Sequence, residues 1–247
     1  MPNIFVAGSA RSGSSLLAGM FAGTHHCGDE LLPANHSNPK GYFEDAHFIG
    51  LNEELIHDVW QMPLRSPSGT EWCIETPRSG QKWMAVMGAD TAATLAPGDN
   101  LRRRMVAHLS ASPWCRKDPR LAWTLPAWRR VCGEVRILCV FREPAISVAS
   151  MLEWARGRPI GLTKDGAFAI WQASYDSLLR QSQGSGEWCF VRYNDLVSGK
   201  SQARIEEFAN VALDGSLVDR RLNRSVGVEV PPMSVSSTYS ELMDRSS

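Results

Sequence analysis

The opening stretch constrains this chain more than any other. Ile4-Phe5-Val6-Ala7 is an unbroken apolar run, and it passes directly into Gly8-Ser9-Ala10-Arg11-Ser12-Gly13-Ser14-Ser15-Leu16, a loop of small residues that enters a helix-like segment over Ser14 to Ala22. A short run apolar at every position reads as a strand covered on both faces, as in a parallel sheet. Small loop residues let backbone N–H groups converge, and a helix start adds partial positive charge, so strand, loop and helix form a cradle for a phosphate-like anion. Glycine- and serine-rich turns also join strands to helices without any ligand, so the loop alone leaves both readings open.

With Asn3 to Ala7 as the first β-rich run, two others follow, Val135 to Phe141 and Trp188 to Arg192. Helical segments are expected at Asp45 to Trp60 (Phe48, Leu51, Leu55 and Val59 on one face), Leu121 to Val131, Ala145 to Ala155, Gly166 to Gln181 and Gln202 to Ala212. Strands alternating with amphipathic helices define the α/β class. The expectation is a P-loop-like three-layer fold, a central mainly parallel sheet flanked by helices, with residues 1–247 as a single domain. Val230 to Ser247 is polar and contains Pro231-Pro232, which reads as a surface tail.

Composition removes several functions. Lys+Arg and Asp+Glu both number 26, so the net charge is zero, and a general nucleic-acid or acidic-membrane binder lacks its surplus of cations. The longest apolar run, Ile137 to Phe141, falls far short of the roughly 20 residues of a membrane helix. Residues 1–8 carry neither a basic segment nor an apolar stretch of signal-peptide length, so a cytoplasmic location is expected. Six cysteines (27, 73, 115, 132, 139, 189) form no CxxC pair and read as reduced core thiols. Charge is unevenly spread: seven acids against Lys40 between Asp29 and Asp58, nine bases against Asp118 and Glu134 between Arg102 and Arg136. That asymmetry suggests an anion site built mainly from the second region, or two solvated faces of opposite sign.

The spacing Gly8-x4-Gly13 copies a Walker loop, but Ser14 stands where the lysine belongs. Kinase or triphosphatase chemistry thereby loses its β/γ-phosphate cation, and Arg11 is the one cation inside the loop. After the run Val135 to Phe141 the chain reads Arg142-Glu143-Pro144-Ala145-Ile146-Ser147-Val148-Ala149-Ser150. A cation at the carboxyl end of a parallel strand, with a hydroxyl eight positions on, can grip a second phosphate in the crevice where α/β ligands sit.

These two motifs together resemble the 3′-phosphoadenosine-5′-phosphosulfate (PAPS)-dependent sulfotransferases. The resemblance spans roughly Asn3 to Phe208. It implies that Arg11, Ser12, Gly13, Ser14, Ser15 and Leu16 hold the 5′-phosphosulfate, that Arg142 and Ser150 hold the 3′-phosphate, and that Tyr193, in a Tyr-Asn-Asp-Leu stretch similar to the family's Tyr-Glu-Asp-Leu, lies near the nucleotide. PAPS would be the donor and its desulfonated nucleotide the product, with no metal. Sulfuryl transfer then asks for an aligned acceptor oxygen, a base for its proton and cations on the growing charge. The histidine base of the cytosolic branch is missing, since Cys115-Arg116-Lys117-Asp118-Pro119 occupies its place. That stretch resembles the tyrosylprotein branch, as does Cys27-Gly28-Asp29-Glu30, which implies Glu30 as base and Lys117 as an electrophilic aid. The stretch Asn38-Pro39-Lys40-Gly41-Tyr42-Phe43-Glu44-Asp45 is similar to one in bacterial members, so Glu44 or Asp45 is an alternative base. Asp45 also suits a helix cap.

His25, His26, Cys27 and His36 fit no regular zinc spacing. Trp114, Trp123, Trp128, Trp154 and Trp171 read as core, with room for one or two in an acceptor pocket. The expected activity is sulfuryl transfer to a hydroxyl of a small molecule, with no nucleic-acid or membrane partner. The rivals are a P-loop kinase-like enzyme and a non-catalytic nucleotide-binding module. No pattern in the chain speaks to its oligomeric state.

Overall fold

The computed structural model describes residues 1–57, 64–65, 71–72, 82–84, 86–158, 162–184, 187–219, 221, 226–227 and 229–247. Val59, Trp60 and Cys73, read above, lie outside the described residues. The chain begins with β1 (Ile4–Ala7) and α1 (Ser14–Met20), then α2 (Ala46–Leu55) and a short antiparallel pair, β2 (Leu64–Arg65) and β3 (Glu71–Trp72). Next come α3 (Ala89–Thr94), α4 (Asp99–His108), β4 (Cys115–Lys117), α5 (Leu121–Arg129), β5 (Arg136–Phe141) and α6 (Pro144–Ala155). The last elements are α7 (Lys164–Ser182), β6 (Glu187–Arg192), α8 (Tyr193–Ser198), α9 (Gln202–Ala209) and α10 (Met233–Arg245).

The main sheet is all parallel in the order β4-β1-β5-β6. Ile4 faces Cys115 on one side and Arg136 on the other. From β1 the later strands are therefore laid down in both directions, and such a switch point leaves a crevice beyond the carboxyl ends of the strands. Into it lead the loop 8–13 after β1, Lys117 and Asp118 at the end of β4, and Arg142 after β5.

Alternation within the strands builds two cores. Phe5, Ile137, Cys139 and Phe141 face α2, α5, α6 and α7, whereas Ile4, Val6, Leu138 and Val140 face α1, α8 and α9. This is the three-layer α/β arrangement expected. Trp114, Trp123, Trp128 and Trp171 are fully buried in the first core, while Trp154 is half-buried beside Trp83. Pro126 inside α5 cannot donate to the Ala122 carbonyl one turn back. Ser177 and Gln181 of α7 donate to that oxygen instead, at 2.7 and 2.9 Å, which ties the two helices together.

Strand β4 escapes pattern reading because it is three residues long and two of them are Arg116 and Lys117. Most of the segment 230–247 is a helix laid on the surface. Pro232 starts α10, and Val235, Thr238 and Leu242, spaced three and four apart, are buried against α7 and β6. Val235 and Leu242 each contribute about 1.5–3 kcal/mol by burial, and Thr238 Oγ1 donates to Asp176 at 2.7 Å. A proline pair that cannot continue a helix is well suited to begin one.

The uneven charge resolves in an unexpected way. The acidic segment and the basic segment zip onto each other: Glu44 pairs with Lys117, Glu53 with Arg120 at 2.7 Å, and Glu54 with Arg104 at 2.7 Å. Three of the nine bases of the second segment are thus tied to acids of the first. Among the described residues no helix is long and apolar enough to cross a membrane, and Cys27, Cys115, Cys132, Cys139 and Cys189 are free thiols.

Candidate active site

The loop after β1 is shaped by three residues of positive φ, Gly8 at 151°, Arg11 at 64° and Gly13 at 94°. Gly13 is required twice over. A Cβ there would lie 2.1 Å from Cδ2 of Tyr193, so the tyrosine ring rests directly on the loop backbone. The same ring carries the Arg142 guanidinium, 4.7 Å from its centroid. Tyr193, at the first position of α8, thus touches both motifs.

Arg11 turns out of the loop and crosses to α6. Its Nε donates to Ser150 Oγ at 2.9 Å, and its Nη2 donates to the Ser37 carbonyl at 3.2 Å. Burial pulls the Arg11 guanidinium below arginine's ordinary pKa, partly countered by Tyr42 and Glu44. Arg142 is lowered for the same first reason, and the nearby charge of Arg11 adds to it. A buried and a partly buried guanidinium, with Arg11 lowering Arg142, form a site whose natural complement is a polyanion. The buried hydroxyls of Ser9 in the loop and Ser147 in the first turn of α6 have no hydrogen-bond partner among the described residues, so the cradle retains donors to offer. The residues present fit a nucleotide bearing phosphates at both ends.

On the β4 side Lys117 Nζ contacts the Ser15 hydroxyl at 3.3 Å and is paired with the Glu44 carboxylate. Both are buried, Lys117 at 4% and Glu44 at 8% exposure. Glu30, by contrast, projects from the surface: its side chain is 68% exposed and its nearest ionic neighbour is His47 at 4.0 Å. Asp45 is fully engaged elsewhere. Its Oδ1 accepts from Phe48 N and its Oδ2 from Glu30 N, both at 2.9 Å, which caps α2 and pins the strand-like stretch at Glu30. Of the carboxylates read from the sequence, Glu44 alone meets the loop and Lys117 together.

Behind this pair lies a polar layer that sequence reading missed. Arg116 donates to the His26 carbonyl at 2.6 Å and to the His108 carbonyl at 3.3 Å. His108 stacks on Phe48 and lies 3.6 Å from Asp45. On the other side Asp118 accepts from Arg120 at 3.0 Å and from Asn52 at 3.1 Å, and Asn52 in turn accepts from Thr124 and Trp128, both at 2.7 Å. These bonds anchor β4 to α2 and α5 on both sides of Lys117. The only local signal was Asp118-Pro119-Arg120 following Lys117; the partners Asn52 and His108 come from distant segments. Among the described residues no group of three or more His, Cys, Asp or Glu side chains could hold a metal ion.

The parallel sheet with its switch point, the glycine–serine loop without the Walker lysine, and the Arg142–Ser150 stretch facing it belong to an α/β transferase. The chain belongs to the sulfotransferase family, whose profile matches residues 2–214. Solved structures share the fold. The sulfotransferase domain of the Synechococcus PCC 7002 olefin synthase superposes with a TM-score of 0.54 at 18% identity, over 98% of this chain and 94% of that one. A sulfotransferase domain from the curacin biosynthetic pathway gives 0.58 at 16% identity over 98% of both chains. A sulfotransferase from Mycobacterium avium gives 0.54 at 16% identity, over 98% of this chain and 76% of that one. No curated protein sequence matches the chain.

Proposed function

We propose that the protein transfers a sulfuryl group from PAPS to a hydroxyl of a small-molecule acceptor, in the cytoplasm, with Glu44 as the base. The observation that carries this reading is the buried Glu44–Lys117 pair at Ser15 of the phosphate loop. When bound, PAPS supplies an activated sulfuryl group. Arg142, Ser150 and the face of Tyr193 would hold the 3′-phosphate end, and Arg11 with the backbone of Ser12 to Leu16 the 5′ end. Ser15 links that loop to Lys117, whose charge would offset negative charge on the departing oxygen. Glu44 takes the proton of the acceptor hydroxyl. It is shielded from water, whereas Glu30 stands in solvent, where a carboxylate is weakly directed. The lysine compensates the desolvated carboxylate until the acceptor arrives. Solved sulfotransferase domains of the same fold support this reading.

Turnover of Glu44→Gln beside Glu30→Gln on one phenolic acceptor tests it. Glu44→Gln keeps shape but removes basicity, so kcat should fall by about 10²–10⁴ with nucleotide affinity little changed, while Glu30→Gln stays near wild type. Wild-type turnover in Glu44→Gln with collapse in Glu30→Gln would return the role to Glu30.

A further inference from the structure

The residue before Glu44 is held in an unusual state. Phe43 has φ 53°, and a bulky aromatic residue is a genuine outlier in the left-handed region. Such a conformation persists only where the surroundings over-determine it. Here they do so through the ring. A Cβ on Gly19 of α1 would lie 2.7 Å from Cε2 and 2.8 Å from Cζ of Phe43, and 2.9 Å from Leu217 Cδ1. The ring therefore occupies a slot that exists because residue 19 has no side chain, and it packs on the core beneath α1. On the other side the backbone is fixed as well: Leu32 N donates to the Glu44 carbonyl at 2.8 Å, and Asp45 caps α2.

We infer that Phe43 is a positioning residue for the transfer reaction: its ring, seated over Gly19, locks the left-handed turn that directs the Glu44 carboxylate inward to Lys117. This rests on the reading of Glu44 as base. With the ring removed, the backbone at residue 43 is free to relax to an ordinary conformation, which reorients the next side chain away from the site. Helix α1 begins in the phosphate loop, so the same seat also fixes the carboxylate relative to the nucleotide cradle.

The experiment is a double-mutant cycle of Phe43→Ala with Glu44→Gln, read as kcat and as calorimetric affinity for 3′-phosphoadenosine 5′-phosphate. Phe43→Ala alone should lower kcat about 10–100-fold with nucleotide affinity within about threefold, yet change kcat less than about twofold once Glu44 is Gln, since residues acting as a unit are non-additive. Phe43→Leu, which refills the slot, should recover most of the loss. Gly19→Ala gains helix propensity but crowds Phe43 and Leu217; where it folds it should reproduce the fall in kcat with nucleotide affinity within about threefold, and it carries the test if Phe43→Ala does not fold. Wild-type kcat in Phe43→Ala or Gly19→Ala, or the full Phe43→Ala penalty persisting on Glu44→Gln, overturns the inference while leaving Glu44 as base. Wild-type turnover in Glu44→Gln alone overturns both.

Discussion

Arg11 of the phosphate loop donates through Nε to the hydroxyl of Ser150 in α6 at 2.9 Å, so motifs 139 residues apart in the chain touch directly. The two ends of the proposed nucleotide site are thereby coupled. A change at Ser150 reaches the loop, whereas a change at Arg142 acts through the Tyr193 ring.

Arg142→Ala and Ser150→Ala should therefore differ in kind. Losing Arg142 should weaken binding of 3′-phosphoadenosine 5′-phosphate by about 2–3 kcal/mol and that of the 3′-dephospho nucleotide far less. Losing Ser150 both releases Arg11 and removes a hydroxyl from the 3′-phosphate end, so both nucleotides should weaken, the 3′-dephospho nucleotide by about 1.5 kcal/mol, the low end for a hydrogen bond to a charged group, and the 3′-phosphorylated one by more. Calorimetry on the two nucleotides measures this; unchanged discrimination in Arg142→Ala would remove it from the 3′-phosphate.

Gly13→Ala should lower stability by at least about 1–2 kcal/mol, since the left-handed backbone penalises a Cβ and Tyr193 occupies its space. Adding Tyr193→Ala should restore the steric part and leave the backbone part. Urea melts of the single and double variants separate the two, and full restoration would mean that the φ of Gly13 carries no cost.

Lys117→Ala leaves the buried Glu44 carboxylate without its partner, and breaking a pair of this kind costs about 3–5 kcal/mol. Lys117→Ala combined with Glu44→Gln should recover most of that stability without recovering turnover. Equal destabilisation in the single and the double variant would show that packing, not charge, is responsible.

Acid sensitivity should trace to His108. Burial first, then the charge of Arg116, brings its pKa from 6.5 down to about 4. The folded value lies below the unfolded one, so as pH falls the unfolded chain binds the proton first, and stability present above pH 6.5 is lost progressively toward about 4. Asp45 is raised by burial but lowered further by the amides of Glu30 and Phe48 and by His108 and Arg116, a net fall that places its own effect at lower pH. His108→Gln should flatten the decline in denaturation midpoint between pH 7 and 4.5; an unaltered decline would assign the sensitivity elsewhere.

Local features of the chain determined a good deal. Apolar runs such as Ile4 to Ala7 and Ile137 to Phe141 must be buried on both faces, which selects a parallel sheet with helices on each side. Gly8 to Leu16 and Arg142 to Ser150 were legible because a strand end and its following loop are contiguous in sequence. Tertiary structure decided what lies between distant segments. Glu30 and Glu44 are both plausible carboxylates in one dimension; only packing leaves one in solvent and sets the other against Lys117. Helix α10 reads as polar because three buried side chains suffice to dock it. The seat of Phe43 over Gly19 was equally invisible, since it depends on one missing Cβ in a helix 24 residues earlier, and no periodicity encodes a contact of that kind.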